Sequence, residues 1–231
     1  MKSNIYTGGE YSRNNPQFHT GDSPWKARQI LTMLDRHTIR PTSVCEIGCG
    51  AGEILRQMQL QMDEKTRFFG YDISPQAIEI CRQKENDRLS FFCEDLLLKK
   101  TDPFDVLLCI DVFEHIEDYM GFLRTLQPKA KLKIFHIPLE MNGVSVLRGS
   151  PILQNRKSVG HLHYFMKETA LATLRDTGYT VLDYFYTRAG IDRARGLWAT
   201  LAKAPRLLLA AINRDFGARA LGGFSLLVLA E

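Results

Sequence analysis

The sequence predicts an α/β protein: a mostly parallel sheet with helices on both faces. Three observations carry that prediction. A short apolar run, Val44 to Ile47, passes through Gly48, Gly50 and Gly52 into a segment with helical apolar spacing at Ile54, Leu55 and Met58. Further short apolar runs near 67–72, 89–93, 106–110 and 131–137 alternate with segments of helical period, the pattern of strands joined by crossover helices. Three of these runs end in carboxylates, at Asp72, Glu94-Asp95 and Asp111. In an open parallel sheet, ligands gather at the carboxyl ends of the strands.

Residues 1–21 are polar and without period, and read as an arm. Asp22-Ser23-Pro24 starts a helix, with a cap candidate and an early proline. Ile30, Leu31 and Leu34 share one of its faces, and it should end near His37. The glycines after the first strand permit positive φ and let a ligand lie against backbone. A dinucleotide turn keeps two residues before its last glycine; here the spacing is Gly48-x-Gly50-x-Gly52. Glu46 would repel a pyrophosphate and suits a ligand carrying an ammonium or sulfonium group. The next helix should run to about Gln61. Asp72 ends the second strand 20 residues beyond Gly52, where a carboxylate can accept hydrogen bonds from ribose hydroxyls; the alternative is a second helix cap. Ser74 caps the following helix and Pro75 opens it. The run Val106 to Ile110 fits a central strand buried on both faces, and Asp105 at its entrance reads as a fold-stabilising residue. The segment Asp111-Val112-Phe113-Glu114-His115 is then in the site region by topology.

Tyr119 to Leu126 reads as a helix and Lys131 to Ile137 as a fifth strand. Residues 139–160 look like a long irregular loop, followed by His161-Leu162-His163, a helix from Lys167 and a strand through Phe185 and Tyr186. The last strand is expected at Phe224 to Ala230. Between them, Arg188 to Leu221 holds seven basic and two acidic residues, although the whole chain carries only +4. Trp198, Leu201, Leu207, Leu208 and Ile212 give this segment helical spacing, read as two helices broken near Pro205. A basic element with an apolar face suits a membrane surface or an anionic lipid-linked substrate, or packing on the sheet or on another subunit as a homodimer. The remaining core is not basic, and no nucleic-acid partner is expected. Five cysteines without metal or redox spacing fit a reducing cytoplasm, and no secretory signal or membrane span is read.

The Glu46 to Gly52 stretch resembles motif I of the class I S-adenosylmethionine-dependent methyltransferases, and Asp111-x-x-Glu114-His115 resembles a segment of the ubiquinone O-methyltransferase-like and related small-molecule enzymes. The resemblance implies a Rossmann-like, seven-stranded, mostly parallel sheet with an antiparallel last strand between the fifth and sixth. It divides the chain into a cap region (1–39), a cofactor-binding core (40–187), a basic helical insertion (188–221) and a final core strand (222–231). It implies S-adenosyl-L-methionine as cofactor, held by Glu46, Gly48, Cys49, Gly50, Gly52, Asp72, Ile73, Glu94 or Asp95, Asp111 and Val112. Of the two acids after the third strand, Asp95 is preferred as the adenine acceptor. Trp25 on the cap helix either contacts adenosine or substrate, or packs the helix on the sheet. The expected acceptor is a small-molecule, sugar or lipid-linked hydroxyl. His115 is the first candidate for a general base, with His161 and His163 next; the alternative for His115 is packing behind the cofactor. No resident metal is expected. Glu114, His115 and one of His161 or His163 are the residues that would hold one, as a comparable set does in small-RNA 2′-O-methyltransferases. A non-catalytic cofactor-binding protein would keep the same cofactor motifs.

Overall fold

The computed structural model describes Asn15, Phe18, residues 20–192 and residues 200–231. Most of the expected polar arm, together with Arg193, Arg195 and Trp198, lies outside the described residues.

The cap helix α1 spans Ser23–Arg36 and buries Ala27, Ile30, Met33 and Leu34. Five parallel strands follow: β1 (Ser43–Ile47), β2 (Arg67–Asp72), β3 (Leu89–Cys93), β4 (Phe104–Ile110) and β5 (Ala130–Pro138). Helices α2 (Glu53–Gln59), α3 (Pro75–Cys81) and α4 (Tyr119–Leu126) lie on the connections. Ser74 caps α3 by accepting from the Ala77 amide, with Pro75 in the first turn. After β5 come α5 (Gly143–Arg148), α6 (Ser150–Ser158) and α7 (Lys167–Asp176), then β6 (Val181–Thr187). The chain closes through α8 (Lys203–Ile212), α9 (Arg214–Leu221) and β7 (Ser225–Ala230).

The sheet order is β3-β2-β1-β4-β5-β7-β6. Strand β1 pairs in parallel with β2 and β4, Val44 standing opposite Phe68 and Val106. Strand β7 runs antiparallel to both neighbours, with Val228 opposite Phe135 and Tyr184. The reversal of strand order between β1 and β4 creates the crevice in which the site forms. Apolar side chains are buried on both faces of the sheet, so its central strands read as continuous apolar runs rather than alternating ones. Asp105 ties the sheet's lower edge: it accepts from the amides of Thr42 and Ser43 and pairs with Lys131. Those partners hold its carboxyl well below the usual range.

Two expectations need correction. Residues 139–160 are not an irregular loop but hold α5 and α6. Neither helix buries a residue, so neither has a core-facing stripe to read. In the basic segment a helix does begin at Lys203, with Pro205 in its first turn, where the missing amide proton has no helical acceptor to lose. The chain breaks again at Asn213, whose side chain accepts from the Phe216 amide and caps α9.

Candidate active site

The carboxyl ends of β1 to β4 open into a cavity of about 670 Å³, also lined by Phe18, Ser23 and Lys26 from the N-terminal side and by Asn155 and Val159 from the end of α6. That volume suits a small-molecule cofactor with part of its substrate.

One end of the cavity is built by the glycine turn. Gly48, Gly50 and Gly52 all have positive φ, +68°, +53° and +71°. A Cβ on Gly48 would lie 2.8 Å from Val112 Cγ2, and one on Gly52 2.4 Å from the Phe91 ring, so both positions require glycine twice over. The amides of Gly48 and Cys49 donate to the Tyr71 carbonyl. Gly50 donates to Asp72 Oδ2 at 2.8 Å, and Ser74 donates to Asp72 Oδ1 at 2.8 Å. Asp72 therefore braces the turn and the start of α3 while also lining the cavity. Each of its oxygens retains capacity for a second donor. Asp95 and Glu94 both line the cavity; Asp95 accepts from the Leu97 amide, and Glu94 pairs with Lys99 at 2.9 Å. Ile73 and Val112 line it too. Gly52 does not, and shapes the turn from behind.

The centre of the cavity carries an excess of carboxylates. Glu46 is 1% exposed, and its Oε2 has no hydrogen-bond partner among the described residues. Burial pushes its carboxyl well above the ordinary range, an effect that Lys26 partly offsets. Asp111, at the end of β4, has φ +56°. Its Oδ2 pairs with Lys26 Nζ at 2.7 Å and its Oδ1 accepts from His136 Nδ1 at 2.6 Å. His136 Nε2 in turn lies 2.9 Å from Thr187 Oγ1. Burial opposes ionisation of Asp111, but His136 and Lys26 outweigh it and hold the carboxyl far below its usual value. Burial likewise pulls the Lys26 ammonium down, and the Asp111 charge, with lesser contributions from the Glu46 and Glu114 carboxyls, more than reverses this. One ammonium thus stands among three carboxyl groups, and a cationic guest would favour ionisation of the two that burial holds protonated. Lys26 was not anticipated from sequence; it lies on the same buried side of α1 as Ser23 and Ile30, and only the fold brings it to Asp111. Trp25 does not line the cavity. Its ring meets His136 edge-on at 6.1 Å and its Nε1 donates to Asp192, so it packs the cap helix in place.

At the other end His115 and His161 meet in a T-shaped contact, ring centroids 4.7 Å apart. His161 Nδ1 donates to Glu140 Oε2 at 2.9 Å, and Glu140 Oε1 accepts from Asn155 at 2.6 Å. Burial and the neighbouring His161 lower the His115 imidazole to about 4. Glu114 is fully buried and neither of its carboxylate oxygens has a hydrogen-bond partner among the described residues; burial and the Asp111 charge push its carboxyl well up. Donor atoms of Glu114, His115 and His161 lie within 4.8 Å of one another, a set able to hold a divalent cation. His163 is not part of it. Its Nε2 donates to the Ile116 carbonyl and its ring rests against Tyr119, away from the cavity lining.

A family model described as a methyltransferase domain matches residues 25–184. The chain belongs to that family. It is a class I S-adenosylmethionine-dependent methyltransferase, and the turn, Asp72, Asp95 and Asp111 line the cavity at the strand ends. The methyltransferase is 25% identical over 108 residues to the ubiquinone biosynthesis O-methyltransferase of Chromobacterium violaceum, covering 44% of this chain and 45% of that protein. It is 31% identical over 106 residues to the mitochondrial ubiquinone biosynthesis O-methyltransferase of Schizosaccharomyces pombe, covering 42% of this chain and 37% of that one. A third relative, 34% identical over 93 residues, is the tRNA N(3)-methylcytidine methyltransferase Mettl2 of Drosophila melanogaster, matched over 36% of this chain and 29% of its own length. The methyltransferase therefore aligns with less than half the length of these curated relatives. Two solved structures share its fold. Magnesium protoporphyrin IX methyltransferase from Synechocystis, with bound SAH, superposes with a TM-score of 0.60 at 16% identity over 90% of this chain and 82% of its own. The N-methyltransferase NodS from Bradyrhizobium japonicum, in complex with S-adenosyl-L-homocysteine, gives 0.58 at 17% identity over 99% and 98%.

Proposed function

We propose that the protein transfers the methyl group of S-adenosylmethionine to a hydroxyl oxygen of a small-molecule, sugar or lipid-linked acceptor, with His161 as general base and Glu140 positioning it. The observation that carries this reading is the Glu140–His161 pair at the opposite end of the cavity from the glycine turn. A carboxylate accepting from Nδ1 fixes the tautomer and leaves Nε2 free of its proton, ready to accept one. His115, held near 4, is neutral at physiological pH and a poor proton acceptor, and the base is therefore assigned in this reading to His161. The acceptor oxygen attacks the sulfonium methyl carbon in line with the departing sulfur. The C–S electron pair returns to sulfur as a neutral thioether, and the hydroxyl proton passes to His161. The sulfonium supplies the activation; the chain contributes alignment and exclusion of water. Oxygen as the acceptor atom is supported by the two ubiquinone-pathway relatives, whose names specify O-methylation.

His161→Ala is expected to lower kcat about 10²–10⁴-fold, and Glu140→Gln by less, with S-adenosylhomocysteine affinity unchanged in both. Release of S-adenosylhomocysteine during incubation with hydroxylated aromatic, sugar and polyprenyl-linked acceptors is the assay. Binding without turnover on every acceptor would instead favour a cofactor-binding scaffold.

A second reading is favoured by the two oxygens of Glu114, which have no partner among the described residues. With His115 and His161 they would hold a divalent cation, acting on the acceptor oxygen as a Lewis acid in place of the base. Calorimetric titration with manganese separates the two, since Glu114→Gln abolishes heat of binding only if a cation site exists.

A further inference from the structure

We propose that α5, α6, α8 and the start of α9 form a docking face for an anionic lipid bilayer. Three of these helices bury no residue at all: α5, α6 and α8. Yet they carry large apolar side chains, and Leu147 is 90% exposed, Ile212 84%, Leu208 69% and Leu153 59%. Phe216 on α9 adds another at 57%. Leu208 and Ile212 stand four apart and share a helix face.

The helices form one connected unit. A Cβ on Gly143 of α5 would lie 3.1 Å from the Ala220 carbonyl of α9, and one on Gly217 of α9 2.9 Å from the backbone of Ala210 in α8. The approach at Gly217 leaves no room for a Cβ, and the one at Gly143 leaves only a tight fit. The exposed apolar side chains are therefore carried on helices joined to one another, not on separate ones.

Charge identifies what covers it. Residues 141–160 contain no acidic residue, and neither does 203–212. Arg148, Arg156, Lys157, Lys203 and Arg214 belong to the same helices, and none has a carboxylate partner among the described residues. The one acid at the start of α9, Asp215, is tied to Lys167 at 2.6 Å and to Tyr186. Exposed aliphatic groups on helices that carry cations without carboxylate partners among the described residues match the boundary between anionic headgroups and acyl chains. A second copy of the chain is a poor occupant, because a self-pairing face would set these cations against one another. No helix among the described residues is long and apolar enough to cross a membrane, so the contact is interfacial. The face also adjoins the acceptor end of the cavity: Asn155 and Val159, at the end of α6, line the same space as His161. An acceptor dissolved in a bilayer would reach the site without crossing water.

The test is co-sedimentation of the purified chain with vesicles of phosphatidylcholine, with and without phosphatidylglycerol. Binding is expected only to vesicles containing phosphatidylglycerol, weakening as salt is raised. The triple variant Leu147→Asp, Leu208→Asp, Ile212→Asp should lower the bound fraction about tenfold, with S-adenosylhomocysteine affinity retained as the check on folding. No sedimentation with phosphatidylglycerol vesicles, or equal binding by the folded variant, overturns the proposal. So does a wild-type dimer in light scattering that the variant converts to monomer.

Discussion

The charge pattern of the cavity is decided by single residues. Lys26 and Asp111 form a buried pair joined on the far side by His136 and Thr187. Removing one partner of such a pair strands the other charge, and Lys26→Met should cost about 3–5 kcal/mol of stability, measured by denaturant unfolding. A loss below about 1 kcal/mol would mean that the pair is as weak as a solvent-exposed one. Glu46 makes the opposite kind of prediction. Its folded-state carboxyl is pushed above its ordinary value of 4.5 by burial, so the folded chain holds a proton that the unfolded chain releases. The stability linked to this group is full below pH 4.5 and declines as the pH rises toward the raised folded value. Glu46→Gln should therefore raise the Tm of the ligand-free protein at about pH 8 relative to about pH 5, and weaken S-adenosylmethionine binding. A variant whose Tm tracks that of the parent across this range would show that Glu46 ionises freely in the folded state.

The glycine turn is the best-specified element. Gly52→Ala must place a Cβ 2.4 Å from the Phe91 ring at φ +71°, costing about 1–2 kcal/mol for the left-handed backbone with overpacking in addition. Thermal unfolding should show a lower Tm, and an unchanged Tm would mean that Phe91 moves aside freely. The turn was legible in the sequence because everything that shapes it is local: three glycines, the strand before them and the helix after. The strands were legible for the same reason, and Asp72, Asp95 and Asp111 followed from their places at strand ends. What escaped was either non-local or had no inward face to reveal it. Lys26 meets Asp111 across 85 residues of chain, and nothing near either one announces the pairing. Glu140 likewise meets His161 only because α5 and α6 fold between them. Those two helices have no buried side, so the apolar period that betrays most helices was missing. Pro205 drew attention to one break in the basic segment, whereas the second, at Asn213, rests on a polar cap that looks like any surface asparagine.

At the scale of the whole molecule, the cavity is lined from β1 to β4, the cap helix and α6, so a cofactor bound in it would link parts of the chain far apart in sequence. A ligand that binds only the folded state at a hundred times its Kd contributes about 2.7 kcal/mol. For a chain of this size S-adenosylhomocysteine should then raise Tm by about 5–10 °C, and NAD should not; the reverse order would overturn the cofactor assignment. The sheet order has a consequence for how the protein is made. Strand β7 follows every other described strand in the chain, yet it lies between β5 and β6 with all six of its residues buried. On the ribosome, β5 and β6 must emerge and wait as two unpaired edges, each a template for a wrong partner. A chain interrupted before Ser225 would lose an interior strand, not a tail. Its quality is therefore decided by the last few codons of the sheet, and an incomplete nascent chain is the form of this protein most in need of a chaperone.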